Sequence, residues 1–210
     1  MPIGAFAYSQ GLEAAVEAGF VSDEKGLLAW MRGLLGHAFG RLDLPALLNA
    51  HGAFVRGAPA PALAQLGAMV LAMRGSAELQ AEDRRLGQAL ARVLDGWGVD
   101  EAASWMTAPH ASYPVVFALG AARAGAPAVD AALAFGFAWA EAQVAAALRL
   151  LPLGQTAGQR VLSEVLCALP AAVARAETSA DEPARWGTSS ATLALLSARH
   201  ETQYSRLFRS

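Results

Sequence analysis

Apolar residues recur three and four positions apart along nearly the whole chain, and no window alternates apolar with polar residues between turn signals. A repeat near 3.6 keeps one face of a helix apolar but scatters the same residues over both faces of a strand, so the fold class is read as all-α. The predicted architecture is a single-domain bundle of about eight to ten helices over residues 1–210, without a fixed-period repeat. Ser22 reads as an N-cap ahead of Asp23 and Glu24, and Leu27, Trp30, Met31, Leu34, Leu35, Ala38 and Phe39 then mark one helical face. Leu63, Leu66, Val70 and Met73 mark a second face. Behind the predicted cap Ser76, a third carries Leu79, Leu86, Leu90, Val93 and Leu94. Tyr113-Pro114 opens a helix that stops near residues 125–127, and a long apolar helix covers residues 129–150 up to Pro152. The next helix starts near Gln155 and is expected to kink or break at Pro170, and residues 178–190 read as a surface loop.

Charge narrows the partners. A formal net charge of -2 without a basic stripe provides no field for a polyanion, so no nucleic acid is expected. Lys25 is the only lysine, so the remaining positive charge is arginine, whose fork suits interfaces. Cys167 is the only cysteine; inside the run VLCAL it is expected to be a buried structural thiol, and a reducing compartment fits. The opening MPIGAF has no signal-peptide pattern, and the charge-free stretch 102–122 is interrupted by Pro109, His110 and Pro114. The expectation is a soluble cytoplasmic protein with no membrane partner.

Catalytic signatures are missing where they would be sought. The sole lysine has no glycine-rich phosphate loop around it, and His37, His51, His110 and His200 lack the i, i+4 spacing of a helical metal pair. No Gly-x-Ser-x-Gly elbow is present. Glu82 and Asp83 diverge as helix neighbours, and with Arg84 and Arg85 following they read as a solvated charged face. The chain is therefore expected not to be an enzyme. A competing reading is a helical small-molecule or metal-binding protein with a pocket lined by Tyr113, Phe117, Trp139 and the histidines, although aromatics at this spacing fit a core.

Three stretches are polar where a bundle helix would be apolar. PIGAFAYSQGLE, residues 2–13, carries Phe6 and Tyr8, a candidate cap in Ser9, and then a helix containing Gly11. PLGQTAGQR, residues 152–160, sets Gln155 and Gln159 on one helical face beside Thr156 and Arg160, and Gly158 there suggests close backbone approach. RHETQYSRLFRS, residues 199–210, closes the chain. Together with GRLDLP at 40–45, EDRRLGQAL at 82–90, SYPVVFALGAA at 112–122 and WAEAQVAAALRLLPLGQTAGQR at 139–160, these stretches resemble the urease accessory protein F (UreF) family from end to end.

That resemblance implies an all-helical, non-catalytic protein with no cofactor or bound metal of its own, which forms a homodimer. It implies an adaptor in metallocentre assembly, bridging accessory protein D (H in some systems) and the GTPase G on apo-urease, in support of nickel insertion. It differs from the family in three places. Relatives carry a short apolar segment before the Pro-x-Gly motif, which opens here at Pro2, so the native start is expected either upstream or trimmed; the usual Glu-Asn-Gln is Glu141-Ala142-Gln143; and ARWGTSSATL lacks the Pro-Gly pattern.

If the last helix continues into the tail, Leu193, Leu196, His200, Tyr204 and Leu207 or Phe208 form one anchoring stripe, docking near Phe6 and Tyr8. Arg199, Arg206 and Arg209, beside Glu201, then point away, free to meet acidic or carbonyl groups of protein D. Gln155, Gln159 and Arg160 are the second expected surface, toward the GTPase or across the dimer.

Overall fold

A computed structural model describes residues 3–188 and 190–210; Pro2 of the opening motif and Ser189 of the 178–190 segment lie outside them. Among the described residues the chain forms nine α-helices and no strand: α1 Leu12–Glu17, α2 Glu24–His37, α3 Asp43–Val55, α4 Ala60–Ala72, α5 Ala77–Gly96, α6 Tyr113–Arg123, α7 Ala128–Leu150, α8 Gln155–Glu177 and α9 Ala191–His200. Tight 3-10 turns at Ala5–Ala7, Phe39–Arg41, Asp100–Trp105 and Pro183–Arg185 connect them.

The caps decide where helices start. Asp23, not Ser22, caps α2: its carboxylate accepts from the Gly26 amide at 2.7 Å, because a side chain three residues back reaches the orphan N–H of the first turn. Ser76 caps α5 as expected, accepting from the Leu79 amide at 3.1 Å. Pro114 sits in the first turn of α6, where its missing N–H leaves nothing unsatisfied. Pro170 does not break α8, which runs through it to Glu177, with Pro170 on the exposed face.

The centre is built from α3 against α6 and α7 against α8, with α5 on α6 and α2 on α8. Phe39 stacks on Trp139 at 4.5 Å and on Phe135 at 5.4 Å, and Tyr113 and Phe117 meet Phe135 from α6. Small residues let helices approach: a Cβ on Gly136 would lie 2.5 Å from a Leu169 methyl, and one on Gly158 would lie 3.1 Å from Val144. Gly158 therefore serves side-chain packing within the bundle, not a backbone approach. By length and composition α7 could cross a membrane, yet 56% of its most apolar window is buried inside the bundle, as in a core helix.

One expectation fails at the surface. Cys167 is exposed, because the outward face of α8 runs through Arg160, Ser163, Glu164 and Pro170, and position 167 falls on it. The described residues of the 178–190 segment form a surface loop as expected, with a 3-10 turn at Pro183–Arg185, and Trp186 within it is buried with its indole donating to the Ser179 carbonyl at 2.7 Å.

Candidate functional site

Two of the three polar stretches, the opening and the tail, meet in the fold. Gly11, at φ 79°, caps α1, so the helix begins after it rather than containing it. A Cβ on Gly11 would also lie 2.9 Å from a Leu193 methyl of α9. Ser9 lies two residues before the cap, but its hydroxyl still accepts the Glu13 amide at 3.2 Å.

Helix α9 stops at His200, and the rest of the tail folds back across α1 and α5. Glu13 in the first turn of α1 gathers the Leu207 amide at 2.7 Å and the Phe208 amide at 2.9 Å, and it meets His200 Nε2 at 3.1 Å. Glu78 in the first turn of α5 meets His200 Nδ1 at 2.8 Å and accepts from Arg206 at 2.8 Å. His200 is fully buried between the two carboxylates, with one facing each ring nitrogen. Further along, the Arg209 amide donates to Ala7 and the Ser9 amide to Ser210, while the Ser210 hydroxyl donates to Glu82. Phe208 is buried beneath the Arg149 guanidinium, 4.7 Å from the ring centroid, and Arg149 also donates to the Phe6 carbonyl.

These contacts replace the anchoring stripe expected from a continuous helix. A straight helix would carry residues 201–210 away from the body at 1.5 Å per residue, whereas the turn returns their amides to buried carboxylates that need donors. His200 and Phe208 do anchor the tail. Tyr204 does not: it is 104% exposed, and Leu207 is 52% exposed. Arg206 is not free either, being paired with Glu78.

Glu82 and Asp83 correct the solvated-face reading, for both are buried. They diverge as neighbours on a helix do, but both directions point inward. Asp83 accepts from Arg74 at 2.8 Å, from the Ser112 hydroxyl and from the Tyr113 amide, and Arg74 also forks onto Asp43 at 2.7 and 3.1 Å. Glu82 accepts from Gln10 at 2.9 Å; Gln10 in turn accepts from the Trp139 indole at 3.0 Å and holds a left-handed φ of 52°. Burial pushes the Glu82 carboxyl up to about 7 and the Tyr113 phenol up to about 12. Burial also raises Asp43, against the pull of Arg74.

The remaining predicted residues divide in two. Phe6 is exposed and Tyr8 buried, on either side of the Ala7 carbonyl that receives the tail. Arg199, Glu201 and Arg209 are exposed, and the Arg199 and Arg209 side chains bond no described residue. Gln155, Gln159 and Arg160 are exposed at the start of α8, where Arg160 forks onto Glu24 at 2.8 and 2.6 Å. Tyr113 and Trp139 line a cavity of about 90 Å³ with Phe39 and Phe135, but Phe117 and the four histidines are not among its described walls. Among the described residues no cluster of three His, Cys, Asp or Glu side chains is placed to hold a metal ion.

Glu13, Gln10, Asp43, Arg74, Glu78 and Arg149 escaped the sequence reading. One signal was available: positions 79, 82, 83, 86 and 90 share a helical face, so the carboxylates at 82 and 83 fall among buried leucines.

A family model, UreF, matches residues 21–166. The chain is 45% identical over 210 residues to a protein of Alkalilimnicola ehrlichii named Urease accessory protein UreF, covering 100% of this chain and 91% of that one. Proteins of the same name from Chromohalobacter salexigens and Pseudomonas putida are 44% and 41% identical, again across all of this chain and over 90% and 92% of theirs. A match over most of the chain by the family model, and over all of it by these relatives, places the chain in the UreF family.

Proposed function

We propose that this chain is a non-catalytic adaptor of urease maturation, joining accessory protein D (or H) to the GTPase G on apo-urease, as a homodimer, so that nickel reaches the urease active site. The observation that carries the reading is the end-to-end identity of 40–45% with proteins named Urease accessory protein UreF. The geometry adds a division of labour. Buried His200, Phe208 and the amides of 207 and 208 hold the tail, while the exposed side chains of Tyr204, Arg199 and Arg209 bond no described residue, with exposed Phe6 nearby in the fold-back. Tyrosine and arginine are the residues that dominate interfaces, each worth about 2 kcal/mol or more when buried by a partner. The outward set is assigned to protein D; Gln155, Gln159 and Arg160 are assigned to the GTPase or the second protomer.

The test is co-expression with apo-urease and accessory proteins D and G, scoring complex recovery and nickel-dependent urease activity. The triple variant R199A/Y204A/R209A should melt like the parent yet lose most of the complex with D, and R160A should instead lower recovery of G or of the dimer. Full activation in cells lacking this chain would sink the adaptor reading.

A further inference from the structure

On the side of α8 away from its start, three arginines from separate segments surround one groove of about 630 Å³: Arg41 in the turn after α2, Arg175 in the last turn of α8, and Arg185 in the 3-10 turn at Pro183–Arg185. No carboxylate is among its described walls, although the chain as a whole carries a formal charge of -2. Elsewhere this protein ties guanidinium groups to carboxylates, as in Arg32–Glu164, Arg123–Glu101 and Arg160–Glu24. In the groove only Arg185 has such a partner, Glu182 at 3.2 Å, and the side chains of Arg41 and Arg175 bond no described residue.

We infer that this groove is a docking surface for an acidic peptide segment of a partner protein. Charge complementarity favours an anion, and the fork of a guanidinium matches a carboxylate on two hydrogen bonds. The groove's other donors argue against a compact ion such as phosphate. The Thr178 and Ser179 hydroxyls are spent on the Arg175 and Ala176 carbonyls, and the α8 C-terminus brings its own partial negative charge to the floor. An extended chain can instead place successive carboxylates on the three exposed arginines, in a groove that Leu35 and Trp186 also line. The surface is independent of the tail and does not rest on the adaptor reading.

The experiment uses the full chain and a fluorescein-labelled oligoglutamate peptide, followed by anisotropy at low and moderate salt. The expected result is saturable binding that weakens with salt. R41A/R175A should weaken it about tenfold or more, while R56A/R85A, at two exposed arginines outside every site described, leaves it unchanged. The arginines are exposed, so an unchanged melting curve checks that the groove variant folds, and the conservative R41K/R175K should restore part of the affinity. No saturable binding, equal binding by R41A/R175A, loss of binding in R56A/R85A, or equally effective competition by inorganic phosphate would each overturn the proposal.

Discussion

Glu82 shows how one side chain can be read wrongly from its neighbours and then constrain the fold. Its carboxyl is buried among Gln10, Ser210 and the α5 leucines, and burial pushes its pKa up to about 7 from the ordinary 4.5 of a glutamate. Between those two values the folded chain keeps a proton that the unfolded chain releases. Stability from this group is therefore fully present below about pH 4.5 and is lost as pH rises toward and through 7. The isosteric E82Q stays neutral and removes the slope. By neutral pH its stability relative to the parent should have risen by something on the order of 3 kcal/mol compared with acid pH, read from urea midpoints across that range. Parallel pH profiles for the two proteins would show that Glu82 titrates as an ordinary exposed carboxylate.

At the scale of elements, residues 108–112 are wedged between α4 and α5 where two glycines leave room. A Cβ on Gly67 would lie 2.2 Å from the His110 carbonyl oxygen, and one on Gly87 would lie 2.1 Å from that of Ala111. Backbone cannot rotate aside, so G87A should cost about 3 kcal/mol despite the better helix propensity of alanine. Gly136 faces only the flexible Leu169 side chain, at 2.5 Å, so G136A should cost distinctly less. Comparing the two melting temperatures checks the argument, and equal losses would refute the distinction between backbone and side-chain neighbours. The same reasoning explains why α6, which follows the wedge directly, is pinned to α5: Asp83 accepts both the Ser112 hydroxyl and the Tyr113 amide at its first turn.

At the scale of the molecule, residues 201–210 belong to the body of the protein. Deleting them strips Glu13 of two amide donors, takes the Ser210 hydroxyl from Glu82, and uncovers the site filled by Phe208. Each unpartnered buried acceptor costs about 1–3 kcal/mol, so the truncated chain should melt well below the parent by calorimetry. An unchanged melting temperature would mean the tail is a solvated end. Because truncation damages the fold, only outward substitutions at Arg199, Tyr204 and Arg209 separate partner binding from stability.

The all-α class and most helix positions were legible in the chain, because caps, prolines and 3.6-residue periodicity act between residues a few positions apart, although the central helix Asp43–Val55 was missed; membership of the UreF family was legible in the motif stretches instead. Proline and glycine signals located Tyr113–Arg123 and Ala128–Leu150 to within a few residues. It failed beyond His200, where local pattern favoured more helix and distant carboxylates favoured a turn. Glu13 and His200 meet across 187 positions, and Arg74 joins Asp43 to Asp83 from a third segment. Burying a polar group is favourable only when its partners are in place, and no neighbour in sequence records whether they are. The partners of the inward carboxylates, the folded-back tail and the three-arginine groove were thus decided by tertiary structure alone.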